Sequence, residues 1–174
     1  MTRWIIREAV PADAEQIGMI QVSAWRAAYR EIFPAEELAS LEVGPKSEQW
    51  RERLESPSAE VRNTVAVGKG EVAAFCSLGP SRDEAALRIT DVAELYALYA
   101  SPCAWGAGAG FALFRDAIDA VVAWQVRGLS LWVFEKNLRG RAFYERQGLR
   151  PDGARIREKV LGVEADEIRY SHRW

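Results

Sequence analysis

Residues 94–114 read ELYALYASPCAWGAGAGFALF, and this stretch decides which fold the chain can adopt. Its first seven residues are strongly apolar and predict a strand that Ser101 and Pro102 end. Three glycines follow within WGAGAG at 105–110, and an amphipathic helix is predicted from Phe111 onward. A buried strand that enters a helix through a glycine-rich turn predicts a fold of the α/β class.

The rest of the chain supplies further strands and helices on both sides of this stretch. Before it, the sequence predicts the strand WIIREAV (4–10), a helix up to about Tyr29, helices from Pro34 and over 47–54, and the strands TVAVG (64–68) and VAAFCSL (72–78). A polar loop is predicted at 80–91. After it come the strand LSLWVF (129–134), a short helix over 137–148, and two last strands in LRPDG (149–153) and DEIRYSHRW (166–174). These elements predict a mixed α/β sheet in a single domain over residues 1–174.

Composition excludes several classes of function. The 23 basic and 25 acidic side chains give a net charge of −2, so the chain lacks the basic surplus that nucleic-acid binding requires. Cys76, Cys103 and His172 are too few for the usual four-ligand zinc site or a disulfide framework. No run approaches the roughly 20 apolar residues of a membrane-spanning helix, and the first residues lack a secretory signal pattern. We therefore expect a cytoplasmic protein without a metal.

The glycine turn predicts a binding site for phosphate. Gly106, Gly108 and Gly110 leave backbone N–H groups uncovered where a helix begins, and the positive end of the helix dipole favours an anion there. The alternative is a tight turn that only lets the helix pack closely. No Lys-Ser or Lys-Thr pair follows, which excludes a P-loop. The G-x-G-x-G spacing, with no acidic residue about 20 positions later, leaves a Rossmann oxidoreductase as the weaker alternative.

Two linked motifs resemble those of the GNAT superfamily of N-acetyltransferases. That family has an [Arg/Gln]-x-x-Gly-x-[Gly/Ala] turn for the pyrophosphate of coenzyme A, followed by an Asn-x(5)-Phe-Tyr-x(3)-Gly helix. Here the matching residues are Gly108 and Gly110 in the turn and Asn137, Phe143, Tyr144 and Gly148 in the helix. Trp105 departs from the pattern, because Arg or Gln is commonest there. The resemblance is close over residues 94–153 and looser in AWRAAYREIFP (24–34).

The resemblance implies a fold, a cosubstrate and a reaction. The fold would be a mixed, mostly antiparallel sheet of about seven strands flanked by helices. The cosubstrate would be acetyl-coenzyme A, and the partner would be a primary amine of a small molecule or peptide. Dimers are common among similar proteins, which leaves both a monomer and a homodimer open. The alternative from another class is a non-catalytic acyl-coenzyme A-binding module with the same fold.

The resemblance also assigns roles to individual residues. The expected cofactor-binding residues are Leu98, Tyr99, Ala100, Gly106, Ala107, Gly108, Ala109, Gly110, Phe111, Asn137 and Tyr144. The backbone N–H of Leu98, at a strand bulge, would meet the thioester carbonyl, whereas ordinary sheet pairing is the alternative for residues 98–100. Tyr144 would give a proton to the departing thiolate, and its alternative role is that of a packed aromatic residue.

Glu94 is the predicted general base, because it resembles the base of several family members. Side chains alternate between the two faces of a strand, so Glu94 is expected on the same face as Tyr96 and Leu98. That face should carry the thioester. An acceptor amine arrives mostly as ammonium at neutral pH, so a carboxylate would attract it and take its proton. The alternatives are an ordered water as the base and Glu94 as a strand-edge carboxylate that faces solvent.

The acceptor is expected near the first helix. Trp25 and Tyr29 lie at positions i and i+4 and so share one face, where they pack in the core or border an acceptor pocket together with Tyr96. A covalent mechanism through Cys103 and His172 is disfavoured, because nothing in the sequence brings these two residues together.

Overall fold

One open sheet organises residues 4–82 and 91–174, which are the part of the chain described by the computed structural model. Within this part seven strands follow the order β1-β2-β3-β4-β5-β7-β6, and all neighbours are antiparallel except β4 and β5. The strands are β1 (Ile5–Glu8), β2 (Arg62–Gly68), β3 (Glu71–Pro80), β4 (Val92–Ala100), β5 (Gly128–Phe134), β6 (Arg150–Val160) and β7 (Val163–Arg173). The expected mixed, mostly antiparallel sheet of about seven strands is confirmed.

Helices cover both faces of the sheet. The described helices are α1 (Ala14–Ala28), α2 (Ala35–Ala39), α3 (Val43–Glu55), α4 (Ala109–Ala123) and α5 (Leu138–Arg146). On one face α1 and α3 bury Ile17 and Trp50 against Phe75 of β3. On the other face α4 buries Leu113 and Val121 against the sheet. Each such side chain contributes about 1.5–3 kcal/mol when it is fully buried, so these two layers hold the sheet between them.

The strands β4 and β5 separate soon after they begin. Their parallel pairing joins Val92, Ala93 and Glu94 to Gly128, Leu129 and Ser130, and no pairing follows beyond these residues. The rest of β4 therefore has no strand partner on its β5 side, although β3 still pairs with its other side. The separation opens a gap in the middle of the sheet that connects its two faces.

A β-bulge at Tyr96 changes which side chains of β4 share a face. Leu95 is paired with Leu78 and Ala97 with Ser77, so Tyr96 is an extra residue in β4. Leu98 consequently packs with the core under α4, whereas Tyr99 packs with the core under α1. The prediction that Leu98 shares a face with Glu94 and Tyr96 is wrong, because one inserted residue reverses the alternation. The bulge lies two residues before the predicted position.

The last two strands are longer than predicted. The sequence predicts these strands at 149–153 and 166–174, but β6 continues through residues 154–160 and pairs with β7 as far as Val160 and Val163. Leu161 and Gly162 join the strands with φ angles of 48° and 74°, which is the left-handed geometry of a tight hairpin turn. Most of the polar loop predicted at 80–91 lies outside the described residues.

Candidate active site

A cavity of about 1360 Å³ lies where β4 and β5 separate. The glycine turn, the second half of β4, α1, α5 and strands β5 to β7 all contribute to its walls. Most of the predicted site residues line it, namely Trp25, Tyr29, Glu94, Tyr96, Leu98, Tyr99, Ala100, Gly106, Gly108, Gly110, Phe111, Asn137 and Tyr144. Ala107 and Ala109 do not line it, and Ala109 is fully buried in the core beneath α4.

The glycine turn has a backbone that other residues rarely adopt. Gly106 and Gly108 have φ angles of 78° and 92°, and Gly108 is the residue that precedes the first turn of α4. A side chain at Gly106 would meet no atom within 4 Å, so its backbone faces open space. The first N–H groups of α4 and its positive dipole end therefore form a cradle that fits a phosphate group.

Two tryptophans hold this turn in place. The indole N–H of Trp4, which precedes β1, donates to the carbonyl of Ala107 at 2.8 Å. The indole N–H of Trp105 donates to the carbonyl of Ala100 at 2.9 Å and so ties the turn to the end of β4. The first bond pairs a carbonyl group within the turn, and the second joins the turn to β4, so together they hold the backbone that carries the N–H groups.

The helix α5 brings a positive charge to the glycine turn. The guanidinium of Arg139 lies 4.0 Å from the ring centre of Trp105, and both residues line the cavity. A cation like the one that an Arg at position 105 would supply is thus present nearby, on another element. Asn137 accepts a hydrogen bond from the backbone N–H of Gly140 at 3.0 Å, so its side-chain oxygen caps α5.

Tyr144 lines the gap from the α5 side. Its ring packs against Phe143 and Phe114, with ring centres 5.3 and 6.5 Å away. Tyr144 therefore packs in the core and also lines the cavity. Burial, with smaller effects from Tyr99 and Cys76, raises the pKa of Tyr144 far above its ordinary value. The hydroxyl group is thus fully protonated at neutral pH and can donate a hydrogen bond into the gap.

Glu94 is buried and held by Arg82. Its side chain is only 3% exposed, so the alternative that it faces solvent is wrong. One carboxylate oxygen accepts the Arg82 backbone N–H at 2.7 Å, and the other accepts the guanidinium Nη2 at 2.6 Å. The same guanidinium lies 4.0 Å from the ring centre of Tyr96, whose hydroxyl donates to the Pro80 carbonyl. The role of Glu94 as the general base stays a prediction.

An aromatic wall, made of Trp25, Tyr29 and Phe134, closes the cavity on the α1 side. The ring of Tyr29 lies 5.0 Å from Trp25 and 5.1 Å from Phe134, edge to face in both cases. The hydroxyl groups of Tyr29 and Tyr99 are 3.4 Å apart. The indole N–H of Trp25 is buried without a hydrogen-bond partner among the described residues. Trp25 and Tyr29 therefore both pack in the core and border the cavity.

Sequence reasoning missed Glu167, an acidic residue of β7 that also lines the cavity. It pairs in the sheet with Phe134 of β5 and Ile156 of β6. Burial, with a smaller effect from Glu158, raises the pKa of Glu167 to about 7, and Arg82 partly opposes this rise. The segment DEIRY predicts that side chains alternate between the two faces of a strand, but it does not show which face borders the cavity. Only the pairing of β7 with β5 and β6 places this carboxylate in the cavity.

The remaining candidates lie elsewhere. Cys103 is exposed in the turn after β4, and His172 is near the end of β7, and neither lines the cavity. In residues 4–82 and 91–174, no cluster of three or more His, Cys, Asp or Glu side chains is arranged to hold a metal ion. The described helices also include none that is long and apolar enough to span a membrane.

Comparisons with known proteins agree with this architecture. PaiA N-acetyltransferase from Thermoplasma acidophilum, solved with coenzyme A, is 19% identical and has a TM-score of 0.74, with 99% of each chain covered. The yncA structure from Salmonella typhimurium, solved with acetyl-CoA, is 19% identical, with a TM-score of 0.70 over 98% of this chain and 94% of that one. A comparison with curated protein sequences found no match. The model of the acetyltransferase (GNAT) family matches residues 16–149. The chain belongs to the acetyltransferase (GNAT) family.

Proposed function

We propose that the protein is an N-acetyltransferase that moves an acetyl group from acetyl-CoA to a primary amine of a small molecule or peptide. Transfer is direct, within a ternary complex of the protein and both substrates. The observation that supports this most strongly is the gap between β4 and β5, which joins the glycine turn on one side to the aromatic wall on the other. A donor and an acceptor that enter from opposite faces of the sheet would meet in this gap.

The glycine turn and β4 fit the donor. The N–H groups at the start of α4 suit its pyrophosphate, and the cation of Arg139 lies beside them. Residues 98–100 of β4 lack a strand partner on the β5 side, so they can pair with the extended pantetheine arm as a neighbouring strand would. The donor supplies an activated acetyl thioester when it is bound.

The chain itself supplies the groups that the transfer requires. The backbone N–H of Leu98 is the proposed donor to the thioester carbonyl, where negative charge develops during the reaction. Tyr144, whose hydroxyl stays protonated, is the proposed acid for the departing thiolate. The aromatic wall gives the acceptor's carbon skeleton an apolar surface on its side of the gap.

The direct test is thiol release from acetyl-CoA, measured in the presence and absence of a panel of primary amines. Release that depends on an amine, with the acetylamide identified by mass spectrometry, supports the proposal. Binding of acetyl-CoA by calorimetry without release for any amine would instead support a non-catalytic acyl-CoA-binding module. Release at an equal rate with and without amine would show hydrolysis and contradict acetyl transfer.

A further inference from the structure

Three glutamates line the cavity, of which Glu94 is buried, Glu167 is half-buried and Glu158 is exposed. Both oxygens of Glu94 are engaged by Arg82. By contrast, no hydrogen bond or ion pair joins the Glu167 carboxylate to any residue of the described chain. A carboxylate that lines a cavity without a partner is uncommon, because a buried charge normally requires compensation.

The pairing of the strands explains why Glu167 points into the cavity. Ala165 belongs to the same core cluster as Tyr29 and Phe134, and alternation along β7 puts Glu167 on the face of Ala165. Asp166 lies on the opposite face, where it forms an ion pair with Arg157. The side chain of Glu167 therefore points toward the aromatic wall, whereas that of Asp166 points away from it.

The groups that face Glu167 come from several parts of the fold. Burial is the main cause that raises the pKa of Tyr29, directly after α1, and of Tyr99 in β4, and the charge of Glu167 adds to both rises. The charge of Glu158 in β6 raises the pKa of Glu167, and the charge of Arg82, which follows β3, lowers it. Burial raises the pKa of Glu167 more than Arg82 lowers it, so the pKa is about 7 and the carboxyl group ionises near neutral pH. A general base works best when its pKa lies near the working pH.

We infer that Glu167, rather than Glu94, receives the ammonium group of the acceptor and removes its proton. The inference rests on the proposed function and extends it to the acceptor's chemistry. The preferred acceptor is a cationic primary amine with an apolar group next to it, since the charge would meet Glu167 and the aromatic wall would contact the carbon skeleton. Glu94 then acts as a positioning residue, because it fixes Arg82 over Tyr96.

The transfer removes two protons from the acceptor nitrogen. One proton passes from the acceptor's ammonium nitrogen to a carboxylate oxygen of Glu167. The lone pair that is freed forms the C–N bond to the acetyl carbon, and the C–S bond breaks with its electron pair on sulfur. The sulfur takes a proton from Tyr144, and the second proton of the nitrogen restores that hydroxyl. Glu167 finally returns its proton to solvent.

The first experiment measures turnover against pH for the wild type, Glu167→Gln, Glu94→Gln and Glu164→Gln. Glu164 is the matched control, because it is an exposed glutamate of β7 outside the cavity. With phenethylamine as the acceptor, wild-type kcat/KM should rise with pH to about 7 and then level off. Glu167→Gln should lower kcat by about 10²- to 10⁴-fold and abolish this rise, while Glu94→Gln and Glu164→Gln keep it. Loss of the rise in Glu94→Gln with its retention in Glu167→Gln would overturn the inference.

A second experiment needs no turnover. Calorimetry measures phenethylammonium binding between pH 6 and 8.5 in the presence of coenzyme A, which has no acetyl group to transfer. Wild-type affinity should rise about tenfold as Glu167 ionises, and it should be weak and independent of pH in Glu167→Gln. Equal affinity in both proteins, or no binding to the wild type, contradicts the inference. Failure of the proposed function would appear differently, as the absence of thiol release with every amine although this pH-dependent binding persists.

Discussion

The hydroxyl group of Tyr144 lies in surroundings that keep it protonated at neutral pH. Tyr144→Phe removes this hydroxyl and leaves the ring contacts with Phe143 and Phe114 in place. We expect kcat to fall by about 10²- to 10⁴-fold, because the thiolate loses its acid, with little change in coenzyme A affinity. Steady-state kinetics and calorimetry measure the two effects.

Tyr170→Phe is the control for this substitution. Tyr170 is fully buried, donates to Glu145 at 2.6 Å and lies outside the cavity lining. Its loss should cost stability, about 1 kcal/mol, and should leave kcat unchanged. If Tyr144→Phe kept the wild-type kcat with chemistry rate-limiting, Tyr144 would be a packing residue only.

A substitution at Arg139 tests whether a cation from α5 takes the place that Arg can occupy at position 105 in the family motif. Arg139→Ala should weaken coenzyme A binding roughly tenfold and reduce its dependence on salt, because one charge-assisted contact to phosphate is lost. Arg115→Ala is the matched control, since Arg115 is an exposed arginine of α4 outside the cavity. Titrations at two ionic strengths check this, and equal affinities for the two variants would show that Arg139 does not contact the phosphates.

The turn before α4 combines the left-handed backbone of Gly106 and Gly108 with exposed N–H groups. Gly108→Asp should abolish coenzyme A binding, because it brings a negative charge to the start of α4, beside Trp4, where the pyrophosphate is proposed to bind. Gly108→Asn is the matched control: it carries a similar side chain at the same φ of 92° and has no charge. Calorimetry should show a much larger loss for Asp than for Asn, with thermal unfolding shifted equally. Similar affinities in both variants would argue against an anion at this turn.

Local chemistry explains which elements could be predicted. The glycine turn and the helix after Asn137 are determined by neighbours within a few residues, so the sequence predicts both of them and their place at one cavity. The bulge at Tyr96 depends on the pairing of β4 with β3, and this is why the face of Leu98 was predicted wrongly.

Long-range pairing determines what could not be predicted from the sequence. β7 lies between β5 and β6, and only this order brings Glu167 next to Phe134. The ion pair of Glu94 similarly joins a strand to Arg82, twelve positions earlier, across the polar segment. No pattern within DEIRY distinguishes Glu167 from Asp166, because each could face the cavity until the pairing of β7 is known.

The folded chain couples the N-terminal strand to the glycine turn through Trp4. Trp4 packs over Gly68 of β2 and bonds to Ala107, which is 103 positions away along the chain. Trp4→Phe should keep the packing and lose this bond, and we expect coenzyme A affinity to fall a few-fold. Calorimetry measures the change, and an unaltered affinity would show that the turn is rigid without Trp4.

The indole bond of Trp4 also has a consequence for the dynamics of β1. Coupling free energies are reciprocal, so a ligand that favours the ordered turn must also disfavour the local opening of the strand attached to it. Amide hydrogens of β1 should therefore exchange more slowly with deuterium when coenzyme A is bound, and this protection should vanish in Trp4→Phe. The first strand, although it lines no part of the cavity, would report whether the anion site is occupied.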